Sequence, residues 1–223
     1  MRLLVTAPVA GLLMIAAAAP VATDTVNVYA SADAMVIKAD AYASSNYGYT
    51  SWMDAGRDSV SDEIRSLINF NTSSAIPAGR YVHEVTLHFI TDRWLTFAPA
   101  DANIAMFGVA GSWSEGAVTW DTMPSLGSQI GATTYVVTGT KPDELTWDVS
   151  SVWAESATLD FYMAMTNPST GFGVFQAYSR ESEHDPYLEI RYEDYAVPEP
   201  GTLALMGLGL GGLILKRRRA VEA

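Results

Sequence analysis

The chain is 223 residues long and carries 25 acidic residues against 13 basic ones, a net charge of −12. So acidic a balance argues against nucleic acid as a partner, because holding phosphates needs a basic footprint. There is no cysteine, which excludes thiol catalysis, disulfides and cysteine-type zinc sites.

At the front, Met1-Arg2 gives a small positive start, Leu3 to Ala19 is apolar, and Ala16 to Ala22 supplies small residues. That order predicts a secretory signal peptide over residues 1–22, with signal peptidase as its partner. Cleavage directly after Ala19 would leave Pro20 in first position, so a cut after Ala18 or Ala22 is expected. Residues 23–200 then keep 8 of the 13 basic and 24 of the 25 acidic residues, a net charge of −16. Such a length suffices for one domain with its own core.

The middle of the chain alternates in hydropathy with the two-residue period of strands. Val85, Leu87 and Phe89 alternate with Thr86 and His88, and Leu145, Trp147 and Val149 repeat the pattern. So do Leu159, Phe161, Met163 and Met165, and then Leu188, Ile190 and Tyr192. Ile104 to Val109 is apolar on both faces, which predicts a central strand. Val149 to Glu155 has room for a single helical turn. Turn formers at Asn46-Tyr47-Gly48, Pro77-Ala78-Gly79, Met123-Pro124, Asn167-Pro168 and Asp185-Pro186 punctuate the rest. The fold class predicted is all-β: an antiparallel β-sandwich of about nine strands, of jelly-roll type.

Eight segments in fixed order carry a family resemblance. They are Asp40–Tyr42 (DAY), Asn46–Gly48 (NYG), Gly56–Asp58 (GRD), Arg65–Phe70 (RSLINF), Ile76–Gly79 (IPAG), Trp113–Trp120 (WSEGAVTW), Ser179–Glu181 (SRE) and Pro186–Ile190 (PYLEI). Together they resemble the DNRLRE-type domain related to carbohydrate-binding module family 96. Asn69 stands where that pattern commonly has arginine. The resemblance implies a non-catalytic β-sandwich over residues 23–196, on a secreted protein, with extracellular polysaccharide as partner, an acidic one for some members of the family.

The residues themselves offer little to an enzyme. Gly111 to Gly116 (GSWSEG) lacks the spacing of a nucleophile elbow. His83 and His88 are five apart, so on one strand they point to opposite faces, and His184 stands alone. A glycosidase needs only two carboxylates, and Asp54, Asp58, Glu181 and Asp185 are the candidates. No cofactor is expected beyond a structural calcium built from Asp40, Asp58 or Asp62. Among the tryptophans, Trp113, Trp120 and Trp147 read as core or loop-packing residues. Of Trp52, Trp94 and Trp153, one is expected to be exposed and able to stack on a sugar. Arg57, Arg65, Arg180 and Tyr47 fall in the family-like segments and Tyr178 adjoins one of them, and the five form the candidate glycan site. Two readings compete for the arginines. They either gather to grip a carboxylated sugar or pair with Asp58, Glu63 and Glu181 to fix strand ends.

The chain closes on Pro198-Glu199-Pro200, an apolar run from Thr202 to Leu215, and the basic stop Lys216, Arg217, Arg218, Arg219. The run is roughly 21 Å long as a helix, at about 1.5 Å per residue. A hydrocarbon core is about 30 Å thick, so the span is marginal, and Gly207, Gly209, Gly211 and Gly212 weaken it further. The cations keep this end on the cytoplasmic side. The three-part order over residues 197–223 resembles the PEP-CTERM sorting signal. That resemblance implies recognition by an exosortase membrane protease and a transient anchor, with the domain delivered to the cell surface. The expectation is therefore a surface or matrix protein that binds polysaccharide. A purely structural or adhesive sandwich is the alternative, and a polysaccharide lyase or glycosidase stands behind both.

Overall fold

The computed structural model describes residues 23–57, 62–96, 102–135, 144–153, 158–166 and 173–194. The predicted signal helix and C-terminal membrane-like helix lie outside these, as do Pro198 to Pro200 and Lys216 to Arg219. Residues 23–194 form one compact unit.

Eleven strands, rather than nine, build it: β1 (Thr23–Tyr29), β2 (Ala32–Ile37), β3 (Trp52–Arg57), β4 (Glu63–Asn71), β5 (Arg80–Thr96), β6 (Ala102–Ala110), β7 (Ser125–Tyr135), β8 (Glu144–Asp148), β9 (Thr158–Met165), β10 (Gly173–Tyr178) and β11 (Tyr187–Asp194). All pairings between them are antiparallel. The predicted helical turn is a single 3₁₀ turn at Ser150–Val152. Of the six strands that the hydropathy reading does not name, β3 and β7 escape it for a visible reason. β3 (WMDAGR) and β7 (SLGSQIGATTY) carry glycine and polar residues, which blur alternation.

The 17-residue β5 joins the two sheets. Its first part, up to Ile90, pairs with β11 and β8, while Thr91 to Thr96 pairs with β10. One sheet therefore runs β1-β11-β5-β8. The other continues from the end of β5 through β10, β3, β4, β9, β6 and β7, with β2 also on β4. The facing sides meet in the main core. Val85, Leu87, Phe89, Trp147, Leu188 and Ile190 come from the first sheet, and Met53, Ile68, Phe70, Phe161, Met163 and Phe175 from the second. These are the alternating positions of the sequence, so burying them sets the register of each strand.

The second sheet is covered on its outer side too. Ala34, Val36, Leu67 and Tyr162 are buried there beneath Val118, with Trp113, Trp120 and Met123 packed against them. This cover explains β6. Its apolar residues point both ways, Ile104 and Met106 into the main core and Phe107 and Val109 toward the outer cluster. Yet it lies between β9 and the terminal strand β7, not at the sheet's centre. Apolarity on both faces reports cover on both faces, which here comes from a loop.

Candidate functional site

Two segments cross the outer side of the second sheet, the loop between β2 and β3 and the loop between β6 and β7. They are locked together by Asn46. Its Nδ2 donates to the carbonyls of Glu115 (2.7 Å) and Val118 (2.8 Å). The amide of Asp121 donates to the carbonyl of Ala43 at 3.2 Å. Gly48 has to be glycine at this crossing, because a Cβ there would lie 2.1 Å from the carbonyl oxygen of Glu115.

Glu115 is the centre of a charged cluster. Its carboxylate takes two parallel hydrogen bonds from Arg180, Nε to Oε1 (2.7 Å) and Nη2 to Oε2 (3.0 Å), and a third from the amide of Asp33 at 3.0 Å. Arg180 also pairs with Glu181 at 3.0 Å, and its amide donates to Oδ2 of Asp33 at 2.8 Å. Ser179 ties the same loop to the β3 approach by donating to the carbonyl of Thr50. Segments distant in sequence, NYG, WSEGAVTW and SRE, thus converge on one bidentate ion pair. Glu115 was not among the residues singled out from the sequence. Its signal is the acidic residue within the WSEG segment, between Trp113 and Trp120.

Asp33, Glu115 and Glu181 each offer an oxygen within 4.8 Å of the others. As a donor set this suits a hard cation such as calcium, but Arg180 already supplies a positive charge there. None of the three belongs to the expected calcium trio. Asp40 and Asp62 form no such group among the described residues, and Asp58 lies outside them. Asp33 is fully buried, and desolvation pushes its carboxyl up to about 7. The consequence for stability has a definite sign. From the ordinary carboxylate range up to about 7, the folded chain holds this proton and the unfolded chain has lost it. Stability therefore falls as pH rises through that window, by at most about 1.4 kcal/mol per unit, and the cost is constant above it. Asp33→Asn keeps an acceptor for the Arg180 amide and has no charge to bury. It is expected to be more stable than the wild type at about pH 8, with an advantage about 2 kcal/mol smaller at about pH 5. Thermal melts of the two proteins at both pH values check this, since other titrating groups cancel in the difference.

The five candidate glycan residues fall into two groups. Arg57 is the register partner of Glu63 on β4, and Arg65 holds Glu63 through Nε (2.7 Å) and Nη2 (2.6 Å). Tyr47 belongs with them, because it bridges to Met35 and packs beside Ile64 and Val174, both register partners of Gly56. Tyr178 and Arg180 make the second group. Tyr178 ends β10, two residues before Arg180. The groups lie toward opposite ends of β3, whose six residues span roughly 17 Å at about 3.4 Å each. Of the strand-end pairings considered, Arg65 with Glu63 and Arg180 with Glu181 are present, and Asp58 lies outside the described residues.

Around Arg65 there is no open ring. Its guanidinium sits 4.9 Å from the centre of the Trp120 ring and the Lys38 ammonium 5.9 Å from it. Cations thus already cover the aromatic surface there. Around Tyr178 the situation differs. Its register partner across the ladder is Trp52, so both side chains share one face. The next pair, Met53 and Ala177, faces the core, which leaves Trp52 and Tyr178 on the outside. Trp52 is 42% exposed and Tyr49, three residues earlier, is 69% exposed. His184 stands 4.9 Å from Tyr178, ring to ring. A hydrogen bond to Asp92 holds the Tyr178 phenol protonated, above its ordinary range. Trp52 is thus the exposed ring that composition led one to expect, and Trp147 is core. Of the glycosidase candidates, Asp54 is buried and accepts from Gln176 Nε2 at 2.8 Å, and Glu181 pairs with Arg180.

The family model described as carbohydrate-binding module family 96 matches residues 24–192. The model for the PEP-CTERM protein-sorting motif matches residues 196–219. No curated protein matches the chain.

Proposed function

Because the chain belongs to carbohydrate-binding module family 96, we propose that it is an exported, non-catalytic protein that binds extracellular polysaccharide at the cell surface or in the surrounding matrix. Signal peptidase acts on its front and an exosortase on its PEP-CTERM tail. The observation that carries the binding reading is the exposed Trp52 lying opposite Tyr178, two residues from Arg180. A flat ring at the surface covers the C–H face of a sugar and buries large area at little entropic cost. Of the expected site residues, Tyr178 and Arg180 belong to this surface, joined by Trp52 and Tyr49. Arg57, Arg65 and Tyr47 serve the fold beside it.

The test is affinity electrophoresis of residues 23–194 through gels containing a panel of polysaccharides. At least one polymer should slow the wild type. Trp52→Ala and Tyr178→Ala should each reduce that slowing while leaving the melting temperature nearly unchanged. Retention that both variants keep in full would assign binding to another surface, and retention by no polymer would favour the purely structural sandwich.

A further inference from the structure

We propose that a polysaccharide held at Trp52 and Tyr178 continues along the bend of β5 onto the outer face of the first sheet, where Tyr187 and Tyr29 form a second subsite. The inference rests on the binding reading above and adds the reach of the site. With it comes a class of ligand, the interior of a long chain and not a short oligosaccharide. β10 and β11 run one after the other along β5, both antiparallel to it. Ala177 lies opposite Thr91, and Tyr187 opposite His88. Three residues of β5 therefore separate the end of one strand from the start of the next, roughly 10 Å at about 3.4 Å each. The chain between them, Ser179 to Pro186, leaves the ladder as a turn and brings His184 to 4.9 Å from Tyr178. The outer sides of both sheets turn away from the shared core, so they meet along this bend.

On the first sheet, Leu87 and Leu188 face the core, which turns His88 and Tyr187 outward. Tyr29 is the register partner of Tyr187, and Val28 before it packs toward the core. Three rings thus line one row across β5, β11 and β1. His88 and Tyr187 stack at 4.5 Å with 7° between their planes, and Tyr29 leans on Tyr187 at 5.9 Å and 48°. Glu144 on β8 fixes the inner two, accepting from the Tyr187 hydroxyl at 3.2 Å and standing 2.6 Å from His88 Nδ1. The row ends at Tyr29 on the outermost strand, where the residue is 56% exposed. Cross-strand packing accounts for the side of that ring turned to Tyr187. The rest is apolar surface left in water and backed by clamped rings, which suits the C–H face of a sugar. The next row of the same face, Asn27, Glu189 and Thr86, brings donors and acceptors for sugar hydroxyls. One or two rings bind a sugar weakly, but a chain already held at Trp52 meets Tyr29 as an intramolecular contact. Affinity therefore rises steeply once a chain is long enough to reach both.

The experiment runs residues 23–194 through gels containing alginate, pectate, xylan or β-glucan, as the wild type and as Trp52→Ala, Tyr29→Ala and Tyr29→Leu. The polymer that slows the wild type through Trp52 is then cut by partial hydrolysis into a ladder of lengths. Each length competes in solution against the intact polymer. Tyr29→Ala should weaken the apparent affinity about tenfold, the loss of one stacked ring, with a melting temperature nearly unchanged. Tyr29→Leu keeps an apolar contact with Tyr187 but has no ring, and should lose as much, which separates stacking on sugar from packing on the sheet. Long oligomers should compete far better than short ones, and that advantage should vanish in Tyr29→Ala. Trp52-dependent retention that neither Tyr29 variant touches would overturn the extension and leave the Trp52–Tyr178 site standing. A loss in Tyr29→Ala that is equal at every chain length would also overturn it, because the two subsites would then not share one chain. Retention that Trp52→Ala does not touch, or retention by no polymer, would overturn the Trp52–Tyr178 site and the extension with it.

Discussion

Gly48→Ala is expected to destabilise the domain by about 3 kcal/mol or more, because its methyl group meets backbone and not a yielding side chain. The new Cβ would lie 2.1 Å from the carbonyl oxygen of Glu115 and 2.8 Å from its carbonyl carbon. Relief requires the two covering loops to part, which breaks the Asn46 hydrogen bonds and uncovers Val118, Leu67 and Tyr162. Gly79→Ala is the control. Its backbone, unlike that of Gly48, has a positive φ of +80°, but nothing lies within 4 Å of the added Cβ. Only the left-handed penalty of about 1–2 kcal/mol applies there. Denaturant unfolding of both variants separates a steric effect from a generic glycine effect, and equal losses would refute the account.

Glu115→Ala is expected to cost about 2–3 kcal/mol, a fall in melting temperature of about 4–12 °C for a domain of this size. The substitution removes three hydrogen bonds at once, two from Arg180 and one from the buried amide of Asp33. The figure sits below that for a fully buried pair, since about a third of the Arg180 side chain is open to solvent and Glu181 remains beside it. Glu115→Gln keeps an acceptor for the Asp33 amide and should recover about half of the loss. The exposed pair of Arg191 with Glu84 (3.0 Å) has the same chemistry and about half of each side chain in water. Glu84→Ala should therefore change stability by about 0.5 kcal/mol or less. Thermal melts of the three variants at one pH decide the order.

What the sequence discloses follows from how local each cause is. Strand alternation is local, so β5, β8, β9 and β11 are readable from Leu87 or Ile190 and their neighbours. The cover on the second sheet is not local. It depends on Asn46 reaching Glu115, 69 residues away, and nothing in the hydropathy of β6 separates a loop lid from a neighbouring sheet. The same holds at the site. Arg180 and Tyr178 can be picked out because they lie in or beside the family-like SRE segment. That Glu115 binds its guanidinium and Asp33 its backbone amide is visible only once those two residues are brought to it. Asn69 gives a smaller example. Where the family resemblance leads one to expect an arginine, its Nδ2 donates to Asp160 Oδ1 at 2.9 Å, and Trp113 Nε1 donates to the same oxygen at 2.8 Å. A shorter neutral group there suits an acid already shared with the covering loop.

The pairing of β1 with β11 has a mechanical meaning. Thr23 lies opposite Glu193, and Arg80 opposite Asp194, so the entry and exit of the domain meet at one end of the first sheet. The polymer-binding face proposed above lies at and past the far end of that ladder, where β5 crosses into the second sheet. A tug on a polymer held there, resisted at Asp194, would draw β11 lengthwise against β1 and β5. Antiparallel hydrogen bonds lie across that direction and share the load together, as in shear. Drawing Thr23 away from Glu193 instead opens the same ladder one rung at a time. The domain is thus strongest when held by its tail alone, and the joint at its entrance is the one that peels.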